Sequence, residues 1–210
     1  HCISSAASDV YKRQRLERSA DGSTEVYITH RGMQEVYTSA QKDQTIWQPR
    51  PSDPELETEF LRRLMVKLGV SQEQADAVAK ANTTTAAATG SVRMESANGQ
   101  PVLQIDEGFD RAWRRVGVAL DRTGFTVEDR DRSRGIYFVR YVAPDAKVEP
   151  KGFFGKLFSR SPDAAAPVKY QIQVRSEGDK STVTVLNTQG QPETSANAQR
   201  IVRVITDDMK

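Results

Sequence analysis

Ile105-Asp106-Glu107-Gly108-Phe109-Asp110-Arg111-Ala112-Trp113-Arg114-Arg115-Val116, with Phe125-Thr126-Val127-Glu128-Asp129-Arg130-Asp131 and Gly135-Ile136-Tyr137-Phe138-Val139 after it, decides the fold. Phe109, Trp113, Val116, Ala119 and Leu120 recur at helical spacing, which predicts a helix burying that stripe, capped by Asp106 and ended by Gly124. Phe125–Val127 and Ile136–Val142 then alternate as strands around the polar turn Asp129 to Gly135. Upstream, Val92–Met94 and Val102–Ile105 read as two short strands. Downstream, Tyr170, Ile172 and Val174 share one strand face, and Val183 and Val185 share the next, with Glu177-Gly178-Asp179-Lys180 as the turn. Ala198, Ile201, Val202, Val204 and Ile205 supply the buried stripe of a closing helix. These elements specify an α+β class: an antiparallel sheet with its helices on one face.

N-terminal to this block, Thr83 to Gly90 holds only Thr, Ala and Gly, with no large apolar residue, and reads as a linker. The boundaries are then 91–210 for a complete second unit with an insertion at 143–167, and 71–90 for a short Ala-rich helix plus linker. Residues 15–70 form the C-terminal half of a first unit. In that half, Thr24 to Tyr37 is strand-forming and Asp21-Gly22 is a hairpin turn, so Arg15 to Ala20 is its partner strand. A loop carrying Trp47, Pro49 and Pro51 leads to a helix whose apolar face is Leu56, Phe60, Leu61, Leu64, Met65 and Leu68. Asp53 caps it, Pro54 suits its first turn and Gly69 ends it. Ser71 with Gln74 opens the Ala-rich helix. Residues 1–14 have neither helical nor strand period; their Ser8-Asp9-Val10-Tyr11-Lys12-Arg13-Gln14 run resembles translated sequencing adapter, so they are set aside from the fold, and the missing Met marks an N-terminally truncated fragment.

Thirty Lys and Arg nearly balance twenty-eight Asp and Glu in 210 residues, leaving a net charge of +2 and no field to steer a nucleic acid. No stretch reaches the roughly 20 apolar residues of a membrane-spanning helix. The one cysteine, Cys2, excludes a disulfide within the chain. An internal repeat joins the two units: Ser23-Thr24 through Gly32 aligns without a gap on Ser181-Thr182 through Gly190, and each copy leads to one amphipathic helix.

Together with Phe60-Leu61-Arg62-Arg63-Leu64-Met65-Val66-Lys67-Leu68-Gly69, the words quoted above resemble the BamC family, the NlpB/DapX lipoproteins, over most of residues 15–210. The resemblance implies tandem helix-grip units on a flexible tether. It also implies a non-catalytic accessory role in the outer-membrane β-barrel assembly (BAM) complex. BamD is the implied partner, and the implied anchor is a lipidated N-terminal cysteine upstream of this sequence, at the outer membrane of a Gram-negative cell. Cys2 lacks the apolar signal core before it and is not that anchor.

Among the motifs, Pro150 to Arg160 places Phe153, Phe154, Leu157 and Phe158 beside Lys151, Lys156 and Arg160. This is either a finger that contacts a partner or membrane headgroups, or a loop that folds back on its own sheet. Asp129 and Asp131 alternate with Arg130, Arg132 and Arg134, which reads as a solvated hairpin tip and not as a metal loop. His30 has no Cys partner in its vicinity, and no nucleophile, phosphate-loop or zinc motif is found, so no cofactor, metal or catalytic residue is assigned. The competing class is a periplasmic small-ligand carrier, which requires an empty pocket beside Trp113, Val116 and Tyr137.

Overall fold

The first of two units, residues 1–89, is organised by a three-stranded antiparallel sheet in the order β1-β2-β3. These strands are β1 (Ser8–Arg18), β2 (Thr24–Tyr37) and β3 (Thr45–Arg50). The computed structural model describes residues 8–19, 21–38, 43–86, 90–142 and 167–210. The Asp21-Gly22 turn forms as expected: Gly22 takes φ +84° and Ser23 N–H donates to Asp21 Oδ1 at 2.9 Å. β1 pairs without a break from Ser8 opposite Gln34 to Arg18 opposite Thr24. It therefore reaches back into the 1–14 segment set aside above. Pairing with β2 defines that stretch, and a strand defined by its neighbour shows no apolar period of its own.

The Trp47 loop is also a strand. β3 pairs with β2 from Arg50 opposite Gly32 to Thr45 opposite Tyr37, and it accepts Pro49 because it lies at the sheet edge. α1 (Pro54–Lys67) begins as predicted: Asp53 Oδ1 accepts the Leu56 N–H at 3.0 Å, and Pro54 sits in the first turn. β3 stops at Gly32, and beyond it Glu57 of α1 accepts the His30 backbone N–H at 2.9 Å. α2 (Gln72–Ala86) follows, tied to α1 by Arg62 on Asp76 at 3.0 Å. It extends through Thr83–Thr85, which the sequence placed in the linker. Extending an existing helix by one turn costs far less than nucleating one, so weak formers are carried along.

The second unit, residues 90–210, contains β4 (Val92–Ala97), β5 (Gln100–Ile105), α3 (Phe109–Arg122), β6 (Thr126–Asp131), β7 (Ile136–Tyr141), β8 (Val168–Glu177), β9 (Lys180–Leu186) and α4 (Ala196–Asp208). The strands form one six-stranded sheet in the order β4-β5-β9-β8-β7-β6, antiparallel throughout. Leu103, Ile105, Tyr137, Val139, Tyr170, Ile172, Val174, Val183 and Val185 form the buried rows of β5, β7, β8 and β9. They pack with Trp113, Val116 and Leu120 of α3 and Ile201, Val202 and Ile205 of α4 in one core. Both helices cover the same face.

The predicted cap of α3 is corrected. The cap position is Gly108, with no side-chain bond, and Asp106 instead accepts from the Ser91 hydroxyl and from Arg93 at 3.2 Å, clamping the start of β4. Glu107 is buried; it pairs with Arg115 at 3.2 Å and Arg111 at 3.4 Å and accepts the Gly90 N–H at 3.0 Å. Arg115 continues to the Met209 carbonyl at 2.8 Å. A Cβ at residue 90 would lie 2.2 Å from the Asp106 carbonyl oxygen, so only glycine fits this junction. The Asp129–Gly135 turn is shorter than expected, because Asp129–Asp131 continue β6 past a bulge between Val127 and Asp129.

The repeat holds up to a point. Ser23-Thr24 and Ser181-Thr182 both lie at the start of the second strand of a hairpin, but Gly32 lies inside β2 whereas Gly190 lies beyond β9 at φ +77°. The first unit uses the extra strand length to add β3.

Candidate interface

The six residues singled out in the insertion, Lys151, Phe153, Phe154, Lys156, Leu157 and Phe158, lie outside the described residues. The insertion leaves from the paired ends of β7 and β8, where Tyr141 faces Val168 and both flanking valines, Val142 and Val168, are about half exposed at 48% and 46%. Trp47 is likewise exposed, on β3. The Asp129–Arg134 tip closes on itself: Asp131 Oδ1 accepts from Ser133 Oγ at 2.6 Å and from Arg134 N–H at 3.1 Å. The Ser133 hydroxyl, followed by the Arg134 amide, holds the Asp131 carboxyl below the usual aspartate range.

The pocket that a carrier would need is filled. Trp113 and Tyr137 stack at 3.9 Å between ring centroids, Phe109 stacks on Trp113 at 5.8 Å, and Tyr137 Oη donates to the Trp113 carbonyl at 2.8 Å. Val116 is fully buried beside them.

A groove of about 580 Å³ lies instead on the sheet face turned away from the helices. Strand register builds it in rows. Arg175 stands opposite Thr182, which stands opposite Gln104. The next row is Ile136, Gln173, Thr184 and Val102. A third places Phe138, Gln171 and Leu186 side by side. Gln100, Gly190 and Pro192 close one end, and Arg134 stands with Arg175 in the lining. Pro192 is held there by its bridge to Leu186. Several polar groups are already committed: Gln100 donates to the Val185 carbonyl at 2.8 Å, Gln171 to the Thr188 carbonyl at 3.1 Å, and Thr182 to Gln104 Oε1 at 3.0 Å. Among the described residues, two cations and no acid line the groove.

The sequence did not signal this site. Gln171, Gln173, Thr182 and Thr184 are the outward residues of alternating strands, which read as ordinary solvated positions. Only the order β9-β8-β7 brings them beside Ile136 and Leu186.

Such a body defines an antiparallel α+β domain with one face closed by helices and a groove on the other, lined by polar side chains around the buried Ile136 and Leu186. Residues 91–209 match the family profile described as the outer membrane protein assembly factor BamC-like C-terminal domain. The chain belongs to this family. It is 45% identical over 99% of its length to the outer membrane protein assembly factor BamC of Accumulibacter regalis, covering 55% of that protein. It is 48% identical over 94% of its length to the protein of the same name from Thiobacillus denitrificans, covering 54%. A third, from Pseudoalteromonas atlantica, is 31% identical over 51% of this chain and carries the same name. The chain spans about half the length of the first two of these relatives. Among the described residues no helix is long and apolar enough to cross a membrane.

Proposed function

We propose that this chain is the greater part of a non-catalytic accessory component of the BAM complex, acting by protein–protein binding during assembly and insertion of outer-membrane β-barrels. The observation that carries the reading is the match of the whole second unit to the BamC-like C-terminal domain, together with relatives named as assembly factors. In this reading the two units are tandem helix-grip bodies, and residues 15–70 correspond to the back half of the first. A lipidated cysteine upstream tethers the chain at the outer membrane, and BamD is a partner. Lys151, Phe153, Phe154, Lys156, Leu157 and Phe158 form a contact finger. The small-ligand carrier is not favoured, because Trp113 and Tyr137 occupy the space it requires.

Photo-crosslinkers placed at Phe153 and at Phe158 in outer-membrane preparations test the reading. Adducts with assembly-machinery proteins are expected. Self-adducts alone from both positions would remove the finger. Gene sequence upstream that opens on a cytosolic start without a signal core would remove the anchor and the envelope location with it.

A further inference from the structure

We infer that the open-face groove of the second unit docks an extended polypeptide segment bearing a carboxylate at one end and an apolar side chain about four residues away; this rests on the protein-binding role proposed above. Charge selects the first feature. Among the described residues, Arg134 and Arg175 are the only charged residues in the lining, and no acid lines it. Arg134 meets Asp131 only at 4.0 Å, at the exposed turn, and Arg175 is exposed and makes no ion pair among the described residues. An anionic side chain arriving there meets two guanidinium groups with no competing acid among the described lining residues, and guanidinium forks suit carboxylates.

Register selects the second feature. Arg175 and Gln171 lie four residues apart on β8, about 13 Å along an extended chain. Gln171 is opposite Leu186, which is 8% exposed and bridged through its backbone to the exposed Pro192 at the other end. A segment lying along β8 and β9 therefore presents residue i to Arg175 and residue i+4 to the Leu186–Pro192 end. Between them, Gln173 and Thr184 face each other in the middle row. No side-chain bond engages Gln173 among the described residues, which leaves its amide to meet polar groups of the segment. An isolated phosphate would use the arginines but not this spacing.

The test uses the full 210-residue chain, ¹⁵N-labelled, titrated with a synthetic nine-residue peptide carrying one glutamate four positions before a leucine. Chemical-shift changes are expected at Gln171, Gln173, Arg175, Thr182 and Thr184. Replacing the peptide's glutamate by lysine, or making Arg175→Glu in the protein, is expected to weaken binding about tenfold. Moving the leucine to two positions away is expected to weaken it as well. Equal binding of glutamate and lysine peptides, shifts confined to other surfaces, or inorganic phosphate reproducing the full pattern would each overturn the inference. A photo-crosslinker at Gln173 separates this failure from that of the wider role. If Phe153 and Phe158 capture assembly proteins while Gln173 captures none, the groove is wrong and the accessory role stands. If no position captures them, both fall.

Discussion

Trp113, Gly90 and Arg115 show what single side chains do here. Trp113 is 1% exposed between Phe109 and Tyr137, so Trp113→Ala removes a ring from both stacks and leaves a cavity. The expected loss of stability is about 3–5 kcal/mol, read as a lower denaturation midpoint. Arg115→Ala leaves Glu107 buried with Arg111 and the Gly90 N–H beside it, and releases the Met209 carbonyl. About 2 kcal/mol is expected, because a buried carboxylate stripped of a partner keeps its desolvation cost. Gly90→Ala drives a methyl group into the Asp106 carbonyl and is expected to speed amide exchange at Ser91 and Arg93. The words that carry the family resemblance thus have a structural use: Asp106 and Glu107 fasten the entry of the second unit to α3 and α4. Sequence alone placed Asp106 as a helix cap because an acid before an apolar stripe has that signature, and only the partners Ser91 and Arg93 reveal the other use.

The elements differ in how far the sequence disclosed them. α1, α3 and α4 were legible because each carries a stripe at 3.6-residue spacing. The two helices closing the second unit also bury most of the residues expected, Trp113 and Ile201 among them, while Phe109 and Val204 are only partly buried. β1 before Arg15, β3 and the last turn of α2 were not legible, since each depends on a neighbouring element and not on its own composition. β4 offers a test of acid sensitivity. The Ser91 hydroxyl, then the Arg93 and Lys180 charges, hold the Asp106 carboxyl below its ordinary range. A depressed carboxylate contributes stability that is present above its unfolded pKa and lost as pH falls through the lower folded value. Amide exchange in β4 is therefore expected to rise on acidification through the aspartate range, and Asp106→Asn is expected to remove that dependence. The Ser195 cap of α4 accepts the Ala198 N–H at 3.4 Å, and Ser195→Ala is expected to cost about 1 kcal/mol in the same denaturation assay.

At the scale of the whole molecule, burial is unequal. Among described apolar side chains of the first unit only Ile28 and Ala75 are buried, whereas the second unit closes a core of aromatic and branched residues across both helices and four strands. A fragment of residues 90–210 is expected to unfold cooperatively by itself, and one of residues 1–89 to show no sharp transition. A broad, non-cooperative melt of the larger fragment would contradict this. The groove was illegible at this scale too, because Arg175, Gln173 and Ile136 become neighbours only once β7, β8 and β9 are laid side by side.

The chain holds two tryptophans, one in each unit: Trp47 is 48% exposed and Trp113 is sealed against an aromatic ring. Each body consequently carries its own fluorophore in a contrasting solvent environment. Emission from Trp47 responds to quenchers dissolved in the buffer, while that from Trp113 stays shielded until the second core opens. A Trp47→Phe chain then gives an optical record of the second unit with no label attached.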